Sequence, residues 1–149
     1  MFQFAYRGAS GIPRIALIPV AATQTLYKGD PVVRASGVLN VMAGGASAGT
    51  VVGVMNQDSV LADAGTLVEV ILADADTVFK ADFLTSGTKK SFVAADLATA
   101  FDVGATTNYN QIDPDDTTGG SWVPVKTATE AEGQVYVKCA HAQRDPLAG

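Results

Sequence analysis

The side chains able to do chemistry near neutral pH are few, and their spacing limits each of them. His141 is the only histidine, so a histidine-based metal site is excluded and any nucleophile–base–acid arrangement would have to run through it. A positioned base needs both a nucleophile and a third group to orient it, and the expectation is a chain with no catalytic residue. Cys139 is the only cysteine, which rules out an internal disulfide and a cysteine metal knuckle. Set between alternating apolar residues, it reads as a buried small hydrophobe. Asp113, Asp115 and Asp116 ahead of Gly119 offer hard-cation ligands on a turn, but Pro114 stiffens its start and no glutamate stands at the twelfth position. An exposed loop of aspartates bonding their own backbone is expected there, and the same holds for Asp74 and Asp76. Glu69 is the one acid inside an apolar strand. A subunit-interface ion pair or a solvent-facing position accounts for it more simply than a pair of glycosidase carboxylates. The run Gly44-Gly45-Ala46-Ser47-Ala48-Gly49 has no lysine to reach a phosphate and leads into a strand, so it reads as a hairpin tip. Neither a cofactor nor a metal is expected.

Short strands must hold these groups. From Leu26 to Phe83 the chain is a series of apolar, β-branched runs, 31–35, 38–42, 51–55, 67–72 and 77–83, divided by Ser36-Gly37, 44–49, 63–66 and 74–76. Glycine reaches positive φ without steric cost and aspartate bonds its own backbone, so each divider ends a strand for a physical reason. Alternation places Thr77, Phe79, Ala81 and Phe83 on one face, and does the same for Val135, Val137 and Cys139 in a last strand over 134–140. The run 67–72 is nearly continuous, as for a strand covered on both sides or touching a partner. Only 92–101 shows helix-like spacing, and one short helix is expected there. Segments 101–103 and 109–112 are expected to pair across the turn between them.

The fold class is therefore mainly β, a small β-barrel or β-sandwich with at most one short helix. Residues 1–24, with Pro13, Pro19 and scattered glycines, cannot be helical and read as an extended N-terminal arm. Residues 25–149 form the β-rich body, divided into a glycine-turn module over 25–90 and a second β lobe or insertion over 91–149. The tail from 141 to 149 is expected to be loose.

With 149 residues, 48% of them hydrophobic and 17% charged, the chain can bury a core without staples and is not disordered. A net charge of −5 argues against nucleic acid as a partner, since phosphate binding needs a basic face that releases counterions. Charge is uneven along the chain: 1–29 carry Arg7, Arg14 and Lys28 and no acid, whereas 30–149 hold seven bases and fifteen acids. A basic arm on an acidic body suits docking on a neighbouring subunit or an acidic surface. The apolar run 15–22 is too short to cross a bilayer and is broken by Pro19. The start lacks a basic leader before a long apolar stretch, so synthesis in a cytoplasm and no membrane partner are expected. The candidate contact residues are Phe2, Phe4, Tyr6, Arg7, Arg14, Ile15, Leu17 and Trp122, because aromatic and arginine side chains are enriched at interface centres.

The succession Tyr27-Lys28-Gly29-Asp30-Pro31-Val32-Val33, Thr50-Val51-Val52-Gly53-Val54-Met55 and Ala64-Gly65-Thr66-Leu67-Val68-Glu69-Val70 resembles the head decoration, or cement, proteins of tailed bacteriophages. The resemblance lies in the first half of the chain and includes nothing from Ser91 on. It implies a β-tulip-like body whose N-terminal arm lies on the capsid or a neighbour. It also implies a non-enzymatic virion protein, made in the host cytoplasm and placed on the outer capsid surface. Such a protein binds the icosahedral shell as a homotrimer at local threefold positions and clamps adjacent subunits of the major capsid protein. Two other readings come from the residues alone. One is a carbohydrate-binding or adhesion module on a virion or cell surface, with Trp122 and tyrosines as sugar platforms. The other is a hydrolase using His141 and Glu69.

Overall fold

Which faces the apolar runs can bury decides how they pair. The computed structural model describes residues 1–8, 11–42, 51–104 and 109–140. Among these, nine strands form two antiparallel sheets, and the mainly β, sandwich-like fold expected from the sequence is the one observed. One sheet contains β1 (Phe2–Arg7), β7 (Thr77–Asp82), β8 (Trp122–Pro124) and β9 (Gln134–Cys139), in the order β1-β7-β9-β8. The other contains β2 (Ile15–Pro19), β3 (Pro31–Ala35), β4 (Val38–Val41), β5 (Val51–Met55) and β6 (Leu67–Leu72), in the order β2-β6-β5-β3-β4.

The five-stranded sheet curls on itself. Val20, just past β2, makes a parallel bridge to Leu39 of β4, and the Ala21 N–H donates to the Leu39 carbonyl at 3.1 Å. β2 and β4 share this one isolated bridge and no ladder among the described residues, so the sheet stops short of a closed barrel. Inside the curl Ile18, Val32, Leu39, Val52, Val68, Val70 and Leu72 form one apolar cluster with Leu26 and Met55. On β6 the alternation is plain: Val68, Val70 and Leu72 turn into the curl while Ile71 joins a second cluster on the other face. β5 is buried on both faces. Val32 faces Gly53 and Val33 faces Val51, which makes Val52 the extra residue of a β-bulge. Gly53 has to be glycine there, because a Cβ would lie 1.9 Å from the Ile71 carbonyl oxygen.

The second cluster fills the space between the sheets, with Met42, Val51, Val54 and Ile71 against Phe2, Phe79, Ala81, Val135, Val137 and Cys139. Trp122 sits within it, its ring 4.8 Å from that of Phe2 and 5.9 Å from the edge-on ring of Phe79. Thr77, Phe79, Ala81 and Phe83 are buried together, as the alternation predicts. Phe83, Phe92 and Phe101 extend the core edge to face at 5.1 Å spacings. The helix expected over 92–101 shrinks to one 3-10 turn, Ala94–Ala98. Phe92 and Phe101 enter the core from extended backbone instead, through bridges to Ala128 and Trp122. Val103 and Ile112 bridge as expected, with the Gly104 N–H donating to the Gln111 carbonyl at 2.9 Å.

The described residues of the 1–24 segment, 1–8 and 11–24, supply two strands that are folded into the body. β1 pairs with β7, Phe2 opposite Ala81 and Arg7 opposite Thr77, and β2 pairs with β6, Ile15 opposite Ile71 and Pro19 opposite Leu67. Each is therefore an edge strand of one sheet, held there because Phe2, Ile18 and Val20 are buried, and not an arm reaching away. The start of β1 docks on the turn at 27–30: the Phe2 N–H donates to the Gly29 carbonyl at 2.8 Å, and the Asp30 N–H donates to the Tyr27 carbonyl at 2.9 Å. Gly29 has a φ of +93°, and a Cβ on it would come within 3.0 Å of the Phe2 carbonyl oxygen. The hairpin tip expected over 44–49 and the tail from 141 lie outside the described residues.

Candidate functional site

β2 divides its side chains between two environments. Ala16 and Ile18 pack into the curl, while Ile15 and Leu17 share the opposite face with Ile71 and Glu69 across β6. The four-stranded sheet covers that face over β5 and Ile71 but leaves β2 open. Ile15 is 47% exposed, Leu17 61% and, at the start of β6, Leu67 56%. Three large aliphatic side chains in neighbouring register positions form a stripe, and contiguous apolar surface of this kind marks interaction sites where scattered residues do not. Beside it a cleft of about 320 Å³ opens between β1 and the β5–β6 pair, lined by Met1, Gln3, Phe4, Val54, Asn56 and Ile71. Glu69, opposite Leu17, is half-buried, and its Oε2 accepts a hydrogen bond from Asn56 Nδ2 at 3.2 Å.

The structure sorts the candidate contact residues. Phe2 and Trp122 are 1% and 0% exposed, which corrects their assignment to a partner surface: the two rings pack on each other in the core. The carbohydrate reading loses its Trp122 platform for the same reason. Phe4 is half-buried against that core, and Tyr6 is exposed beyond a register shift between Phe4 and Tyr6. Arg7 is engaged, its Nε donating to Asp74 Oδ2 at 2.9 Å. Arg14 is exposed at the head of β2. Ile15 and Leu17 are thus the two members brought together on open surface. Leu67 completes the stripe without being among the expected contacts, although its position out of phase with Val68, Val70 and Leu72 is the signal that places it outside.

The carboxylates hold turns. Asp115 accepts the backbone N–H groups of Thr88 and Lys89 at 2.8 and 2.9 Å, and Gly87 makes room, since a Cβ there would lie 2.0 Å from Asp115 Oδ2. Asp113 accepts from the Asp115 N–H at 3.0 Å and Asp116 from the Thr118 N–H at 2.8 Å. Among the described residues no group of three or more His, Cys, Asp or Glu side chains is placed to hold a metal ion. Asp74 accepts from the Thr77 hydroxyl at 2.6 Å and the Asp76 N–H at 3.2 Å, besides Arg7. Burial pushes its pKa up, but the hydrogen bonds from Thr77 and Arg7 and the guanidinium charge outweigh that and hold it below the ordinary carboxylate value. Asp30 has the opposite balance: burial raises its pKa against the lowering effect of the Tyr27 N–H and the Asn110 side chain.

Two sequence features bearing on hydrolysis lie outside the described residues. One is His141; the other is Gly45-Ala46-Ser47-Ala48-Gly49, whose spacing fits the Gly-x-Ser-x-Gly elbow. That elbow needs a helix after it, whereas β5 begins at Val51. Among the described residues no helix is long and apolar enough to cross a membrane. Compared with known proteins, the chain matches no protein-family model and no curated protein sequence.

Proposed function

We propose that this chain is a non-enzymatic structural protein of a tailed bacteriophage, which binds the outer surface of the icosahedral shell and clamps adjacent subunits of the major capsid protein. The observation that carries this reading is the apolar stripe of Ile15, Leu17 and Leu67, left uncovered on neighbouring register positions of the curled sheet. The resemblance at 27–33, 50–55 and 64–70 supports it, for these motifs fall on the turn before β3, on β5 and on β6, which build the curled sheet bearing the stripe. The resemblance implies a homotrimer at threefold positions. Burying a large aliphatic side chain contributes about 1.5–3 kcal/mol, so a stripe of this size supplies a useful contact per copy. A protein that binds the assembled shell and not free subunits stabilises the shell by mass action, and many copies multiply the effect.

Cosedimentation tests this, using the purified chain and phage heads stripped of it. Saturable binding is expected for the natural sequence. Leu67→Lys, at an exposed position, should weaken it by about tenfold or more, the equivalent of 1.4 kcal/mol, with an unchanged circular dichroism spectrum. Heads that take up no protein, or take up the lysine variant equally well, refute the reading.

A further inference from the structure

We infer that the outer face of the four-stranded sheet binds an acidic sugar, a hexuronate residue, in a hollow built around Tyr136. This goes beyond the shell reading and shares no residue with the apolar stripe.

The hollow holds about 360 Å³ and is lined by Lys80, Lys126, Glu132, Gln134 and Tyr136, a volume at the small end of the range that ligand pockets occupy. Strand register builds it. Val135, Val137 and Cys139 turn inward along β9, so Gln134 and Tyr136 turn outward. Lys80 of β7 lies directly opposite Tyr136. On the other side the Val125 N–H donates to the Tyr136 carbonyl at 2.8 Å, which brings Lys126 alongside from the chain just past β8. The two ammonium groups converge on one ring, Lys126 Nζ 4.6 Å and Lys80 Nζ 5.8 Å from its centroid.

An aromatic ring attracts a cation through its quadrupole but leaves the charge uncancelled. Among the described residues neither Lys80 nor Lys126 forms an ion pair. Asp82, two places from Lys80 on β7, accepts from Gln134 Nε2 at 2.9 Å. Glu132 Oε2 accepts from the Thr129 N–H at 2.6 Å and from its hydroxyl at 3.1 Å, while Oε1 has no donor among the described residues. The Gln134 Oε1 and the Tyr136 hydroxyl are open in the same sense. Two cations beside an acceptor carboxylate and an amide oxygen complement a ligand that carries a carboxylate and hydroxyls together. A bare phosphate finds no donor role for Glu132 and is repelled by it. Nucleic acid meets in addition a net charge of −5. A neutral sugar leaves both ammonium groups without an anion. A hexuronate satisfies both kinds of group, its carboxylate taken by the lysines and its hydroxyls donating to Glu132 Oε1 and Gln134 Oε1.

Amide-shift NMR titration of the full chain with trigalacturonate, maltotriose and inorganic phosphate tests this. Trigalacturonate is expected to bind saturably, more weakly as salt is raised, with shifts centred on Lys80, Lys126 and Tyr136. The other two should bind at least about tenfold more weakly. Lys80→Ala and Lys126→Ala each remove one partner of the carboxylate at a half-open site and should weaken trigalacturonate about fivefold with the circular dichroism spectrum unchanged. Lys28→Ala, exposed on the turn before β3, should bind as the natural sequence does. Glu132→Gln keeps an acceptor for Thr129 and should weaken trigalacturonate while strengthening phosphate. The inference is overturned by the absence of saturable binding, by phosphate or maltotriose binding as tightly as trigalacturonate, or by both lysine variants binding it undiminished. Leu67→Lys should keep its affinity for trigalacturonate, so a failure to bind shells overturns the shell reading alone and a failure to bind the sugar overturns this one alone.

Discussion

Replacing Phe2 by alanine removes a ring that is 1% exposed and lies 4.8 Å from Trp122, at the very start of the segment that sequence alone assigns to an arm. Truncating a buried phenylalanine costs about 3–5 kcal/mol, the sum of lost transfer energy and the cavity left behind. β1 is an edge strand, so the site can partly collapse from its open side, and the expected loss lies in the lower part of that range, about 3–4 kcal/mol. For a chain of 149 residues each kcal/mol moves the melting temperature by roughly 2–4 °C, which gives a drop of about 6–16 °C. Thermal and urea unfolding followed by circular dichroism measure it. Leu17→Ala serves as the exposed comparison and should stay within about 0.5 kcal/mol of the natural sequence. A loss below about 1 kcal/mol in Phe2→Ala, well under the cavity range, would mean that the core closes without β1 and that the segment is an arm after all.

Gly53→Ala should cost at least about 3 kcal/mol, the top of the overpacking range, because the new Cβ meets the backbone of β6; a urea midpoint like that of the natural sequence would contradict the bulge. Asp115→Ala strips the acceptors from two backbone N–H groups and should cost about 1–2 kcal/mol, with faster hydrogen exchange confined to Thr88 and Lys89 and the turn around them. The two perturbed aspartates predict opposite responses to acid. Asp74, held below its ordinary value, contributes stability that is present above about pH 4 and lost as pH falls through its folded-state value. The deficit of Asp74→Asn should therefore shrink in acid. Asp30, raised by burial, takes up a proton in the folded state before it does in the unfolded one. The natural sequence should therefore gain on Asp30→Asn as pH falls toward about 4. Acid limbs of the same sign in both variants would refute the assignments.

Alternation by itself makes β7 and β9 legible in the sequence. Thr77, Phe79 and Ala81 on one strand and Val135, Val137 and Cys139 on the other are buried along one face, with Val78 the one residue buried on the other face of β7, and period two is the strongest signal a half-buried strand can carry. The turn at 27–30 is legible for the same kind of reason, a glycine and an aspartate where only they fit. Long-range pairing is what local pattern hides. Nothing near Phe2 in the chain announces Ala81 as its partner, so an apolar, basic start has the character of an arm. Trp122 shows the limit for single aromatics, since the bulk that suits an interface centre suits a core equally well. The stripe is half legible: Ile15 and Leu17 belong to the contacts expected from residue type, but their exposure depends on where the other sheet ends, a property of packing that strand periodicity does not contain.

β5 is enclosed on both sides, and together with β6 it serves as the partition between the two apolar clusters. Neither chamber can lose order while its neighbour keeps it, because each supplies half the cover of the same wall. Scanning calorimetry should accordingly record one heat-absorption peak whose van't Hoff and calorimetric enthalpies agree. A molecule built around such a wall gives way all at once, holding its full shape until the temperature at which it holds none.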